Sequence, residues 1–281
     1  MNEEQERARN VERLLHSPSY RVAYKDVDFL TSPKLRATRM ELELLKPELA
    51  FEEHGVRSTI VVFGSTRIIE PAAAAKKLDR ARARLEDTPG DVRRQRALHR
   101  AERLAAKTRY YDLARQFAQL VAREARNEEP GEYVVCTGGG PGIMEAANRG
   151  AYDQRAQTIG LNIRLPQEQE PNPYITPELC FQFHYFAMRK LHFLLRAKAL
   201  VVFPGGYGTI DELFEVLTLR QTKRMQHIPI ILFGQEFWQR AIDFQFLADE
   251  GTIDDEDLDL FHYAETAEEA WGIIRQFHRK A

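Results

Sequence analysis

Cysteine is nearly absent from this sequence: Cys136 and Cys180 are the only two in 281 residues. Two thiols make no disulfide framework, and no Cys-x-x-Cys or other metal-spaced cluster accompanies them. A reducing, cytoplasmic setting and no metal are therefore expected. Long apolar runs are missing too. The longest, such as Ile228–Phe233, are strand-sized and far too short for a bilayer span. The first ten residues are polar and charged, unlike a secretory leader. An excess of one charge is also lacking. Forty Lys and Arg stand against 42 Asp and Glu, for a net charge of -2, which predicts no bulk attraction to nucleic acid or to a membrane surface. Basic residues do concentrate in Lys76–Arg126. Acidic residues interleave with them there, so a solvated helix face is the expected reading.

What is present is an ordinary globular composition, 43% hydrophobic and 29% charged, in a chain long enough to bury a sizeable core. Four short runs rich in Val and Ile stand out: Thr59–Phe63, Tyr133–Cys136, Ala199–Phe203 and Ile228–Phe233, with Thr158–Ile163 as a fifth. Apolar on both faces and closed by Gly or Pro, they read as buried parallel strands. Helical patterns lie between and after them, over Met144–Tyr152, Tyr185–Lys198, Ile210–Thr222 and Ala264–Arg279. This alternation predicts an α/β fold with a Rossmann-like, doubly wound parallel sheet. Residues 1–55 read as a helical N-terminal extension punctuated by Pro18, Pro33 and Pro47, and residues 56–281 as the main domain. Within it, 71–127 reads as a helical insertion of two helices broken at Thr88-Pro89-Gly90.

Three strand ends carry glycine. Phe63-Gly64-Ser65-Thr66-Arg67 suits a plain turn or a ligand loop equally well. Cys136-Thr137-Gly138-Gly139-Gly140-Pro141-Gly142-Ile143-Met144 leads from strand to helix. Backbone free of side chains can there approach an anion held at a helix N-terminus. It is neither a dinucleotide fingerprint nor a Walker loop, and four glycines in five positions exceed what a turn needs. Pro204-Gly205-Gly206-Tyr207-Gly208-Thr209-Ile210-Asp211-Glu212 repeats the arrangement. Thr209 and Glu212 have the spacing of a capping box, so the Glu212 carboxylate reads either as a cap or as a group at the mouth of a cleft. Arg189 and Lys190 are neighbours in an aromatic segment, about 100° apart on a helix. They suit either ligand contacts or a snorkelling pair.

Taken in order, Gly64-Ser65, Thr137–Gly140 with Gly142 and Met144, Met188-Arg189-Lys190 and Pro204–Glu212 resemble the motifs of the Lonely Guy (LOG) family, the last fitting its PGGxGTxxE signature. The resemblance covers about Thr59 to Glu250, and 71–127 is longer than in the short members. It implies a Rossmann-like fold, a homodimer or larger homo-oligomer, no cofactor, and hydrolysis of the N-glycosidic bond of a nucleoside 5′-monophosphate, AMP or a cytokinin ribotide. It implies catalytic roles for Arg189 and Glu212. It implies substrate contacts from Gly64, Ser65, Gly138, Gly139, Gly140, Gly142, Met144, Gly205, Gly206, Tyr207, Gly208 and Thr209, with Lys190, Thr218 and Glu168 as further contacts. The lead-in Tyr185-Phe186-Ala187-Met188 departs from the Met-His-x-Arg-Lys of the plant-type members and alters the base pocket. A non-catalytic nucleotide-binding or sensing protein of the same fold is the alternative expectation.

Overall fold

The structure, a computed structural model, describes residues 3–165 and 170–280, without the side chain of Lys280. These residues fall into two compact units, Met1–Lys46 and Pro47–Ala281. Residues 3–46 are helical: α1 (Glu3–Leu15), α2 (Val27–Thr31) and the first part of α3 (Arg36–Glu53). Short 3-10 turns begin at Pro18 and Pro33, as punctuation would require, but Pro47 lies inside α3. Proline in a helix interior removes one backbone hydrogen bond. Here the ring is buried one turn before Phe51, so packing offsets that loss.

The second unit is built on seven strands: β1 (Thr59–Phe63), β2 (Val134–Thr137), β3 (Thr158–Ile163), β4 (Cys180–Phe183), β5 (Ala197–Val202), β6 (Ile230–Phe233) and β7 (His262–Ala264). Their order is β4-β3-β2-β1-β5-β6-β7, and every pairing is parallel. The five expected strands are present, with β2 shifted to exclude Tyr133, which takes a positive φ of 56°. The edge strands β4 and β7 were not expected from sequence. The helices are α4 (Pro71–Glu86), α5 (Val92–Ala105), α6 (Arg109–Glu124), α7 (Ile143–Asp153), α8 (Phe186–Leu195), α9 (Tyr207–Gln221), α10 (Gln235–Ala241), α11 (Phe244–Asp249) and α12 (Ala267–Lys280). The 71–127 segment therefore holds three helices, not two. The second break falls at Ala106–Thr108, where backbone bonds of i→i−3 type close α5.

Alternate residues of the central strands face opposite layers. Ile60, Val62, Val135 and Val201 pack against α6, α7 and α12. Val61, Phe63, Cys136 and Val202 pack against α8, α9 and α10. From β1 the chain winds outward through β2, β3 and β4, then returns to place β5 on the other side of β1. The β1/β5 boundary is thus a topological switch point. Helices leave to opposite faces there and open a crevice beyond the carboxyl ends of the strands, where ligands bind in folds of this kind.

Candidate active site

A cavity of about 720 Å³ occupies that crevice, a size that suits a nucleotide. All three glycine loops contribute. Its lining includes Gly64 and Ser65 after β1, Gly138, Gly140 and Met144 after β2, and Pro204–Thr209 after β5, together with Arg189 and Glu212. Gly139 and Gly142 lie outside the lining and have a supporting role. Both have positive φ, 71° and 75°. A Cβ on Gly142 would collide with the Ser65 carbonyl, and one on Gly139 with the Asn162 amide. Lys190 and Thr218 are likewise outside the lining. Lys190 pairs with Asp211 at 2.8 Å and Glu215 at 3.2 Å, and the Thr218 hydroxyl donates to the Phe214 carbonyl one turn back. Glu168 lies outside the described residues.

The loops are tied to one another by backbone. Ser65 N–H donates to the Pro204 carbonyl, and Ile143 N–H donates to the Ser65 carbonyl, each at 3.1 Å. Beneath the second loop runs a buried polar chain that sequence reasoning missed. Thr137 Oγ1 accepts from Gly139 N–H and donates to Asn148 Oδ1 at 2.7 Å. Asn148 Nδ2 donates to Thr158 Oγ1 and the Ile159 carbonyl. Asn172 Nδ2 reaches both Asn148 Oδ1 and the Gly140 carbonyl. Every side-chain amide group of Asn148 is satisfied, the condition under which a buried polar network rigidifies its surroundings. The one signal in the sequence is an asparagine set into the apolar stripe Ile143, Ala146, Ala147, Ala151.

At the third loop the structure decides between the two readings of Glu212. Helix α9 starts at Tyr207, and Gly206 is its N-cap with no side-chain capping bond. Thr209 is thus the third helical residue, and the capping box read from the sequence does not form. The Glu212 carboxylate instead lines the cavity and faces Arg189 at 3.6 Å. Side-chain exposure is 13% for Glu212 and 11% for Arg189. Burial pushes the Glu212 carboxyl up to about 7, although the Arg189 charge pulls it down. Burial likewise lowers the Arg189 guanidinium, opposed by Glu212. Arg189 is held by an Nε–H bond to the Leu161 carbonyl at 2.8 Å. The adjacent Arg189 and Lys190 do diverge, one into the cavity and one onto α9.

Further described residues of the wall include Arg67 and Phe186, which lie in segments already read from the sequence, and others that no motif announced. Asn162, Ile163 and Leu165 follow β3, Phe186 opens α8, Phe237 lies on α10, Arg67 and Ile68 follow the first loop, and Leu104 and Lys107 come from the end of α5. Cys136 is fully buried next to Arg189, and desolvation keeps its thiol protonated. Among the described residues no three His, Cys, Asp or Glu side chains converge as a metal site, and no helix is long and apolar enough to cross a membrane.

The family model described as "Possible lysine decarboxylase" matches residues 144–274, a span that includes Arg189, the third glycine loop and Glu212. A probable cytokinin riboside 5′-monophosphate phosphoribohydrolase from Oryza sativa subsp. japonica is 28% identical over 181 residues, covering 61% of this chain and 78% of that relative. A pyrimidine/purine nucleotide 5′-monophosphate nucleosidase from Escherichia coli is 32% identical over 113 residues, covering 37% of this chain and only 24% of that relative. Among solved structures, an X-ray structure titled TM1055 covers 78% of this chain and 99% of its own, at 22% identity and a TM-score of 0.48. With three glycine loops assembled around one cavity, the chain is similar over these spans to that family and to relatives named as a phosphoribohydrolase and a nucleosidase.

Proposed function

We propose that this protein hydrolyses the N-glycosidic bond of nucleoside 5′-monophosphates, AMP or cytokinin ribotides, to free base and ribose 5-phosphate. The observation that carries the reading is the buried Arg189–Glu212 pair facing a cavity rimmed by three glycine loops. The open N-terminal ends of α7 and α9 take the 5′-phosphate and locate the sugar. Breaking the C1′–N bond leaves the electron pair on the base and builds positive charge on the ribose. The Glu212 carboxylate stabilises that charge and accepts a proton from the attacking water, whose oxygen bonds to C1′. With its carboxyl near 7, Glu212 can pass that proton on to the departing base. The permanent charge of Arg189 offsets the negative charge that the base develops. No cofactor enters this scheme. The protein acts in a reducing, cytoplasmic environment as a homodimer or larger homo-oligomer.

The test is incubation with a panel of nucleoside monophosphates while following free base and ribose 5-phosphate. Both products should appear in equal amounts, and Glu212→Gln should slow their release by about a hundredfold or more while leaving AMP affinity measurable. Tight AMP binding with no release from any nucleotide would favour a binding or sensing protein instead.

A further inference from the structure

Among the described residues four charged side chains line the cavity, and they are unequally matched. Arg189 faces Glu212 at 3.6 Å. Arg67 and Lys107 form no ion pair among the described residues. A cavity lined by two cations without ion-pair partners among the described residues suits a dianion.

Their positions say which part of a nucleotide that would be. Arg67 follows the first loop, which the Ser65 backbone ties to the third loop on one side and to the start of α7 on the other. Its own N–H donates to Ser65 Oγ at 3.1 Å. It therefore stands beside the two helix N-termini that face the cavity. Lys107 lies just beyond the C-terminal end of α5, its Nζ within 3.5 Å of the Arg103 carbonyl. One turn earlier, Leu104 packs against the core cluster that contains Ile68, which fixes the end of α5 over the first loop. Both cations sit on the α6/α7 side of the sheet, whereas Arg189 and Glu212 come from the α8/α9 side.

We infer that Lys107, with Arg67, is a specificity-determining residue that reads the 5′-phosphate dianion, so that the helical segment 71–127 contributes to substrate choice from outside the glycine loops. The inference rests on the nucleotide reading of the site but not on hydrolysis. A lysine is a compact point charge on a flexible stem, and a phosphate ester carries between one and a half and two negative charges near neutral pH. Lys107 thus favours nucleotides over the matching nucleosides without touching the reacting bond.

The experiment measures Kd for AMP and for adenosine by calorimetry on wild type, Lys107→Ala, Lys107→Arg and Arg67→Ala, with KM and kcat where turnover occurs. Losing one charge-assisted contact should weaken AMP binding about tenfold. Adenosine affinity and kcat should stay within about twofold, and Lys107→Arg should recover most of the loss. An unchanged AMP affinity in Lys107→Ala overturns the inference. So does an equal loss for adenosine, which would mark a structural role, or a failure of Lys107→Arg to rescue. If wild type binds AMP yet cleaves no nucleotide, hydrolysis fails and the affinities still decide the role of Lys107. A wild type that binds no nucleotide at all overturns both.

Discussion

At the scale of single residues, Glu212 carries opposed demands of function and stability. Its carboxyl is raised from 4.5 to about 7, chiefly by burial. If the ionised form assists the reaction, kcat should rise with pH and level off above about 7, and a profile flat from pH 5 to 8 would remove Glu212 from the chemistry. The same displacement sets a sign for stability. Below 4.5 the group is protonated whether the chain is folded or not. Between 4.5 and about 7 the unfolded chain gives up the proton that the folded chain still holds, so stability falls as pH rises through this window and then flattens. The displacement amounts to about 3 kcal/mol. Glu212→Gln has no proton to lose. Its melting temperature relative to wild type should therefore climb between pH 4.5 and 8, while turnover falls by about a hundredfold to a thousandfold. Parallel melting curves across that range would show that the carboxyl is not displaced. Arg189 makes a different demand, since one guanidinium holds the Leu161 carbonyl and faces Glu212 at once. Lysine cannot reproduce that geometry, and Arg189→Lys is expected to lose at least tenfold in kcat with its charge retained.

At the scale of elements, the glycines divide into those that shape the loops and those that leave room beside them. Gly142 is the N-cap of α7, with φ of 75° and its Cα pressed on the first loop. Gly206 has an ordinary φ of −103°, and a Cβ there meets no atom within 4 Å. Gly142→Ala should therefore cost about 1–3 kcal/mol from backbone strain alone and lower the melting temperature by several degrees. Gly206→Ala should melt within about a degree of wild type but, on the proposed reading of this loop as a phosphate site, bind AMP more weakly. Equal melting losses in the two variants would show that this division is wrong. Much of this level was legible in the sequence, and the misses have physical reasons. β1, β5 and β6 could be found because buried parallel strands are rich in Val, Ile and Leu on both faces. β4, Cys-Phe-Gln-Phe, and β7, His-Tyr-Ala, are short edge strands, and such strands need not be apolar throughout. The start of α9 was misread because Thr209 and Glu212 have capping spacing, whereas Gly206 caps the helix one turn earlier. The loops themselves were legible because glycine clustered at a strand end is a local pattern. The Thr137–Asn148–Asn172 chain and the approach of Lys107 depend on contacts between distant segments, which no local pattern records.

At the scale of the whole molecule, every residue of the two core clusters lies between Phe51 and Ile274. The described residues before Arg36 include none that is buried, and Tyr20, Tyr24 and Phe29 there are exposed by 68%, 73% and 49%. Folding stability is a small difference between buried apolar surface and chain entropy, and residues without burial add little to the first term. The unit that begins at Pro47 owns its sheet, both helical layers and all three glycine loops. Starting a fragment at Arg36 keeps α3 whole and retains Pro47 and Phe51, the residues by which that helix is buried. Residues 36–281 are therefore expected to melt in one cooperative transition within about 3 °C of the full chain and to keep its kcat/KM for AMP. A loss of more than about 10 °C, or of turnover with the transition intact, would mean that the first 35 residues contribute to folding or catalysis through contacts their own burial does not reveal.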